Sequence, residues 1–198
     1  MSTVLWILGI LVAFVVFFRV RSLLAPRAFP PWMTPMLELG GRDRDRILDR
    51  AGLTPGDRLL EIGPGAGFIT EKAVERVGRA GRVVCLDIQI EMLRKVRARL
   101  GDGAALVCAS GSQLPFRDGA FGRALLVTVL GEIPDKRRAC EDLFRVIRPG
   151  GTLAVEEGLP DPDYIRTPVL RRLVEAAGFE SGERFGNWAD YTQRFARP

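Results

Sequence analysis

Along most of the chain, short apolar runs that close on a polar or glycine-rich break alternate with stretches whose apolar residues recur every three or four positions. The first kind reads as buried strand and the second as helix packed on one face. Strands are predicted at Leu59–Ile62, Arg82–Asp87, Ala104–Ala109, within Ala120–Val129 and at Thr152–Glu156. Helices are predicted at Arg42–Ala51, with Ile47 and Leu48 inward, at Phe68–Val77, and at Ile90–Leu100, with Met92, Leu93 and Val96 inward. Two more are predicted at Pro134–Ile147 and Thr167–Ala177. Gly52, Pro55-Gly56-Asp57, Gly78–Gly81 and Arg148-Pro149-Gly150-Gly151 punctuate them. Phe179–Phe185 and Trp188–Phe195, around Gly186-Asn187, read as a closing hairpin. Strand–helix alternation predicts an α/β fold: an open parallel sheet with helices on both faces, finished by an antiparallel pair.

Ser2–Phe18 breaks this pattern, because it is apolar throughout and carries no charge. As a helix it would be about 26 Å long, close to the ~30 Å of a bilayer core. A signal peptide is the rival reading; no Lys or Arg precedes the run, and no small-x-small cleavage site follows. A buried core helix is the third, yet a domain of this type has no place for a helix apolar on every face. The expectation is a single-pass transmembrane anchor over 1–21, a Pro-rich juxtamembrane linker over 22–41, and a globular domain over 42–198. Arg19, Arg21 and Arg27 follow the run and favour a cytoplasmic side for the domain. Phe29 and Trp32 suit an interfacial collar, and a plain linker accounts for them as well.

With 198 residues and 47% apolar content the chain can bury one ordinary core. A net charge of +5 biases the surface toward anions. Cys85, Cys108 and Cys140 show no metal-ligand spacing, and two lie in apolar runs, which fits reduced buried thiols. No metal site is expected. The absence of histidine excludes imidazole catalysis.

The chemistry gathers at Glu61-Ile62-Gly63-Pro64-Gly65-Ala66-Gly67, where a strand ends in a glycine turn and runs into a helix. Alternate glycines remove Cβ atoms, so the backbone can bend sharply and approach a ligand, while the helix points free N–H groups at the same place. The dinucleotide fingerprint is Gly-x-Gly-x-x-Gly. Here the third glycine comes one residue early, and Glu61 would repel phosphate. A carboxylate there suits an amino group or a cation; S-adenosylmethionine carries an ammonium and a sulfonium and no phosphate. A purely structural turn is the alternative. Asp87, 20 residues beyond Gly67, closes the next strand where a carboxylate can accept both hydroxyls of a ribose; a solvated strand-end acid is its alternative.

Together with Leu114-Pro115-Phe116 and Leu143–Gly151, these motifs make residues 42–198 resemble the class I S-adenosylmethionine-dependent methyltransferases, in particular the ubiquinone/menaquinone-biosynthesis-like (type 11) subgroup. The resemblance implies a Rossmann-like, seven-stranded, mostly parallel sheet whose last strand is antiparallel. It implies that Glu61 and the backbone of Gly63, Gly65 and Gly67 hold the methionine end of the cofactor. Asp87 would take the ribose, Ile88 pack on the adenine, Ser110 read the adenine amino group, and Thr128 also line the site. Ser110 and Gly122 stand where the family often has aspartate, and a hydroxyl accepts more weakly than a carboxylate.

Methyl transfer to carbon or hydroxyl needs a base. Glu132 and Tyr164 are the catalytic candidates, with Glu156 and Glu157 behind them; solvated loop residues are the alternative for each. Asn-Pro-Pro-Tyr, the mark of amino-methylases of adenine or glutamine, is replaced by Leu130-Gly131-Glu132-Ile133-Pro134, which argues against a nucleic-acid partner. The apolar N-terminus points to a lipid-soluble acceptor, a phospholipid amine or an isoprenoid quinone, with methylation of a soluble metabolite or a non-catalytic binding protein as alternatives.

Overall fold

The computed structural model describes residues 43–159 and 161–198, with five helical positions before them, Trp6, Gly9, Val12, Ala13 and Val16. The predicted anchor and linker otherwise lie outside the described residues. Among the described residues no helix is long and apolar enough to cross a membrane.

Helix α1 (Arg44–Ala51) starts where the Asp43 carboxylate accepts the Arg46 amide at 3.0 Å and stops at Gly52, whose φ of 69° is left-handed. Then follow β1 (Arg58–Ile62), α2 (Phe68–Val77), β2 (Arg82–Asp87), α3 (Ile90–Leu100), β3 (Ala105–Cys108) and β4 (Phe121–Val127). A 3-10 turn at Leu130–Glu132 leads to α4 (Lys136–Val146), β5 (Ile147–Gly158), α5 (Thr167–Glu175), β6 (Glu180–Gly186) and β7 (Asp190–Ala196).

The seven strands form one sheet in the order β3-β2-β1-β4-β5-β7-β6, parallel except for β7, which runs antiparallel to both its neighbours. This is the expected Rossmann-like architecture. Side-chain alternation divides β1 between two cores. Leu60 and Ile62 pack with Leu143 of α4 and Leu170 of α5, whereas Leu59 packs with Ile47 of α1, Ala73 of α2 and Val96 of α3. Both faces are therefore covered, as a parallel sheet requires.

Three boundaries differ from expectation for visible reasons. Strand β4 stops at Val127 because Thr128 turns to φ 53°, and no other non-glycine among the described residues has positive φ. Helix α4 begins two residues after Pro134, where the Asp135 carboxylate caps the Arg138 amide. The Arg148–Gly151 turn lies inside β5 as a bulge: Phe121 pairs with Ile147 and Arg123 with Thr152, so the extra residues loop out and meet Arg197 through Gly150 and Gly151. Cys85 and Cys140 are buried; Cys108, at the end of edge strand β3, is exposed.

Candidate functional site

The glycine turn, Asp87, Ile88, Ser110 and Thr128 gather at the C-terminal edge of the parallel strands. The order β3-β2-β1-β4-β5 places the switch point between β1 and β4, where diverging connections open a crevice. The glycine turn crosses that point. Gly63 has φ 68°, donates its amide to the Leu86 carbonyl at 2.8 Å, and lies so close to the chain leaving β4 that a Cβ would stand 2.4 Å from Val129 Cγ2. Gly65, at φ 56°, is the opposite case: a Cβ there would meet nothing within 4 Å, so its backbone faces open space. Gly67 caps α2 without a side chain, which leaves the first amides of the helix directed at the same opening.

Asp87 closes β2 and is largely buried, with Oδ1 accepting the Gln89 amide at 2.8 Å. Burial raises its carboxyl above the ordinary range, against the pull of the Gln89 and Ile88 amides. Ile88, next to it, leaves 60% of its surface exposed, an apolar side chain with nothing over it. Ser110 follows β3, its hydroxyl in a 3.0 Å hydrogen bond with that of Ser112. The adjoining Gly111 packs under Ile133, since a Cβ would fall 2.8 Å from Ile133 Cδ1. Thr128 donates its amide to the Glu156 carbonyl at 2.8 Å, which holds the strained backbone in place.

Glu61 is turned inward. Its side chain shares a face with Leu59 and lies among Thr70 of α2 and Cys85 of β2, whose thiol stands 3.8 Å from Oε2. Burial pushes its carboxyl up to about 7, against the hydrogen bonds of Thr70 and Cys85, which lower it. The same burial, with the Glu61 charge beside it, pushes the Cys85 thiol far up and keeps it protonated. Sequence reasoning did not single out Thr70 as the partner of Glu61. The signal was available: a threonine three residues into α2 faces the strand that carries the acid.

The catalytic candidates lie on adjoining segments beyond β4 and β5. Glu132 is half-buried in the 3-10 turn, and this turn abuts the loop after β5 so tightly that a Cβ on Gly131 would sit 2.1 Å from the Asp163 carbonyl oxygen. Tyr164 follows Asp163 and donates its hydroxyl to the Trp188 carbonyl. Burial, with the Glu157 charge, raises its phenol above the ordinary value, so it stays protonated at neutral pH. Glu156 and Glu157 point to opposite faces and are both buried, Glu156 accepting the Thr192 hydroxyl at 3.1 Å and Glu157 the Ile165 amide at 3.0 Å. The structure gives these two framework partners and no place at the mouth of the crevice. A cavity of about 430 Å³ opens beside Tyr164, walled also by Arg166, Thr167, Pro168, Arg184 and Trp188. None of the last five was singled out from sequence for a site.

Fold and site together define a doubly wound α/β protein with a crevice of nucleotide type at its switch point. Residues 60–155 match the family described as Methyltransferase domain. The chain is similar to "Ubiquinone/menaquinone biosynthesis C-methyltransferase UbiE" of Vibrio cholerae, 36% identical over 115 residues, 56% of this chain and 44% of that protein. With the protein of the same name from Vibrio campbellii it is 36% identical over 155 residues, 72% of this chain and 57% of that one. The chain thus spans about half the length of the curated relatives it matches. A crystal structure of a SAM dependent methyltransferase from Aquifex aeolicus shares the fold, with a TM-score of 0.78 and 21% identity over 86% of this chain and 100% of that one. Over residues 60–155 the chain thus matches a methyltransferase domain, and its fold is that of a solved S-adenosylmethionine-dependent methyltransferase.

Proposed function

We propose that this chain transfers a methyl group from S-adenosylmethionine to a lipid-soluble acceptor, an isoprenoid quinone or a phospholipid amine. The curated relatives are named for carbon methylation in quinone biosynthesis, and that favours the quinone. The observation that carries the methyl-transfer reading is one convergence: the open backbone at Gly65, the Asp87 carboxylate and the uncovered Ile88 side chain lie along one sheet edge. These residues fit the cofactor. Asp87 would accept the ribose hydroxyls, Ile88 cover the adenine and Ser110 meet its amino group. Gly63, Gly65 and Gly67, with Glu61 behind them and Thr128 opposite, would hold the methionine end. When bound, the cofactor supplies a methyl group made electrophilic by the sulfonium. The protein's part is to align the acceptor and exclude water, effects worth on the order of 7–11 kcal/mol in well-oriented reactions. A carbon or hydroxyl acceptor must also lose a proton. Tyr164 is kept protonated, with its hydrogen given to the Trp188 carbonyl, and so does not take that proton, which leaves Glu132 as the group to do so.

The membrane part of the reading rests on the uncharged run 2–18, on the arginines that follow it, and on the exposure of the helical residues Trp6, Val12 and Val16. In this reading residues 1–21 are a single-pass anchor and 22–41 a linker. Residues 42–198 are the catalytic domain, on the cytoplasmic side, and the tether holds it at high effective concentration over its acceptor. The test is to incubate the full chain with methyl-labelled cofactor and total membrane lipid. Label is expected in the lipid extract. Label confined to water-soluble products or protein would overturn the lipid acceptor.

A further inference from the structure

We infer that the cavity beside Tyr164 is a subsite for the anionic group of the acceptor, a carboxylate or phosphate borne on an apolar body. The inference deepens the methyltransferase reading and rests on it for the word acceptor. Within that reading it favours a phospholipid, which carries a phosphate, over a quinone, which carries no anion. Its evidence is a fixed charge without a counter-ion. The Arg184 guanidinium donates to Thr167 Oγ1 at 3.2 Å, to the Gly186 carbonyl at 3.2 Å and to the Asn187 carbonyl at 2.5 Å, and it stacks 5.1 Å from the centre of the Tyr191 ring. Three neutral oxygens thus hold the group in one position without cancelling its charge. Among the described residues no carboxylate forms an ion pair with Arg184, nor with Arg166, which is exposed on the same wall. The nearby carboxylate of Glu157 is fully buried and faces the Ile165 amide.

A guanidinium already fixed in place loses little freedom when an oxyanion arrives, and planar carboxylate and phosphate groups match its geometry. The other walls are apolar: the Tyr164 ring, Pro168 and the 75% exposed Trp188. Leu159, just after β5, and Val169, on α5 next to Pro168, are exposed apolar residues as well. A cavity with two cations and aromatic walls selects a molecule that is apolar along its length and anionic at one end. Its position is right for an acceptor. Tyr164 follows β5 and Trp188 precedes β7, so the cavity stands about two strand spacings, roughly 10 Å, from the end of β4. The segment carrying Tyr164 touches the turn of Glu132 through Gly131 and Asp163. An acceptor bound here by its anion would present an atom roughly 10 Å away to the crevice.

The test uses the full chain in phosphatidylcholine nanodiscs and calorimetry with three probes: 1-naphthyl phosphate, 1-naphthol and dihexanoyl-phosphatidic acid. The phosphate should bind at least tenfold more tightly than the alcohol, a difference of about 1.4 kcal/mol. Arg184→Lys, which keeps the charge and loses the fixed planar fork, should reduce that preference without abolishing it. Arg166→Gln, which alters an exposed side chain with no structural bond, should reduce it several-fold, and Trp188→Ala should weaken both naphthyl probes together. Tighter binding of dihexanoyl-phosphatidic acid than of naphthyl phosphate identifies a lipid-borne phosphate, and the reverse a free one; either supports the inference. Equal affinity for phosphate and alcohol overturns it, as does a preference that survives Arg166→Gln combined with Arg184→Gln. S-adenosylhomocysteine is titrated alongside. If it binds while the preference is absent, this subsite fails alone. If it does not bind while the preference is present, the methyltransferase reading fails instead.

Discussion

Replacing Glu61 by Gln tests the arrangement at the end of β1 through stability, without any need for turnover. The carboxyl is fully buried and its pKa in the fold is about 7, against 4.5 for the ordinary side chain. The sign follows from proton uptake. Between those two values the unfolded chain has released the proton and the fold has kept it, so raising the pH favours unfolding. The wild type should therefore lose stability relative to Glu61→Gln by about 1.4 kcal/mol per pH unit across this window. The loss totals about 3 kcal/mol by pH 7 and levels off within about a pH unit above it. Urea unfolding of both proteins from pH 4.5 to 8 reads the difference directly, since every other titrating group cancels between them. Parallel pH profiles would refute the reasoning, because they would mean that Glu61 ionises in the fold as it does in water.

The same group reports on the ligand. A cation bound close to Glu61 favours its charged form, so cofactor binding near pH 7 should expel a fraction of a proton, about half at most. Calorimetry in phosphate and in Tris, whose protonation enthalpies differ, measures that proton. The buffer difference should vanish in Glu61→Gln. If it is absent in the wild type, the buried carboxylate does not face the charged end of the ligand.

Three further substitutions probe the two halves of the site. Asp87→Ala should weaken S-adenosylhomocysteine binding at least tenfold, because hydrogen bonds to a charged group are worth about 1.5–3 kcal/mol; unchanged affinity in calorimetry removes the ribose role. Thr128→Gly should leave stability within about 1 kcal/mol of the wild type, since relief of the positive φ of 53° offsets the added freedom of the unfolded chain. A loss of several kcal/mol on urea unfolding would show that the backbone there is not strained. Gly131→Ala drives a methyl group against the Asp163 carbonyl, 2.1 Å away, and forces two loops apart at a cost of about 1–3 kcal/mol. Turnover should fall while S-adenosylhomocysteine affinity stays within twofold; a fall in affinity instead would place this contact on the cofactor side.

The elements around the crevice were largely legible from sequence, within a residue or so at strands β1 and β3. Helices α2 and α3 run over Phe68–Val77 and Ile90–Leu100 as their apolar spacing and glycine stops predict. Glu61, Gly65 and Asp87 occupy the strand ends they were assigned. What the pattern did not convey was orientation. Glu61 was read as a strand-end carboxylate suited to a cation, yet β1 is covered on both faces, so an acid within it has to be buried beside a donor such as Thr70. Strand β5 outran its predicted bounds because the Arg148–Gly151 turn is held by Arg197, 46 or more residues later in the chain.

That contrast has a physical cause, and it bears on how the two halves can be tested separately. The crevice at β1 and β4 is assembled by short covalent turns, so local residue types report it. The region beyond β5 is assembled by distant partners: Tyr164 with Trp188, Leu159 with Ala189, and Arg184 with Thr167. No window of sequence contains those pairs, which is why Arg184 and Trp188 were invisible until the sheet brought them together. Strands β4 and β5 pair between the two regions, and further contacts bridge them at the C-terminal edge. One of these is the turn at Gly131 against Asp163; another is the backbone bond from Thr128 to Glu156. Substitutions at Arg166 or Trp188 should move KM for the acceptor and leave cofactor affinity alone, whereas Asp87→Ala should do the reverse. Coupled losses at both ends from a single change away from these contacts would mean that the division drawn along β4 and β5 is not how this site works.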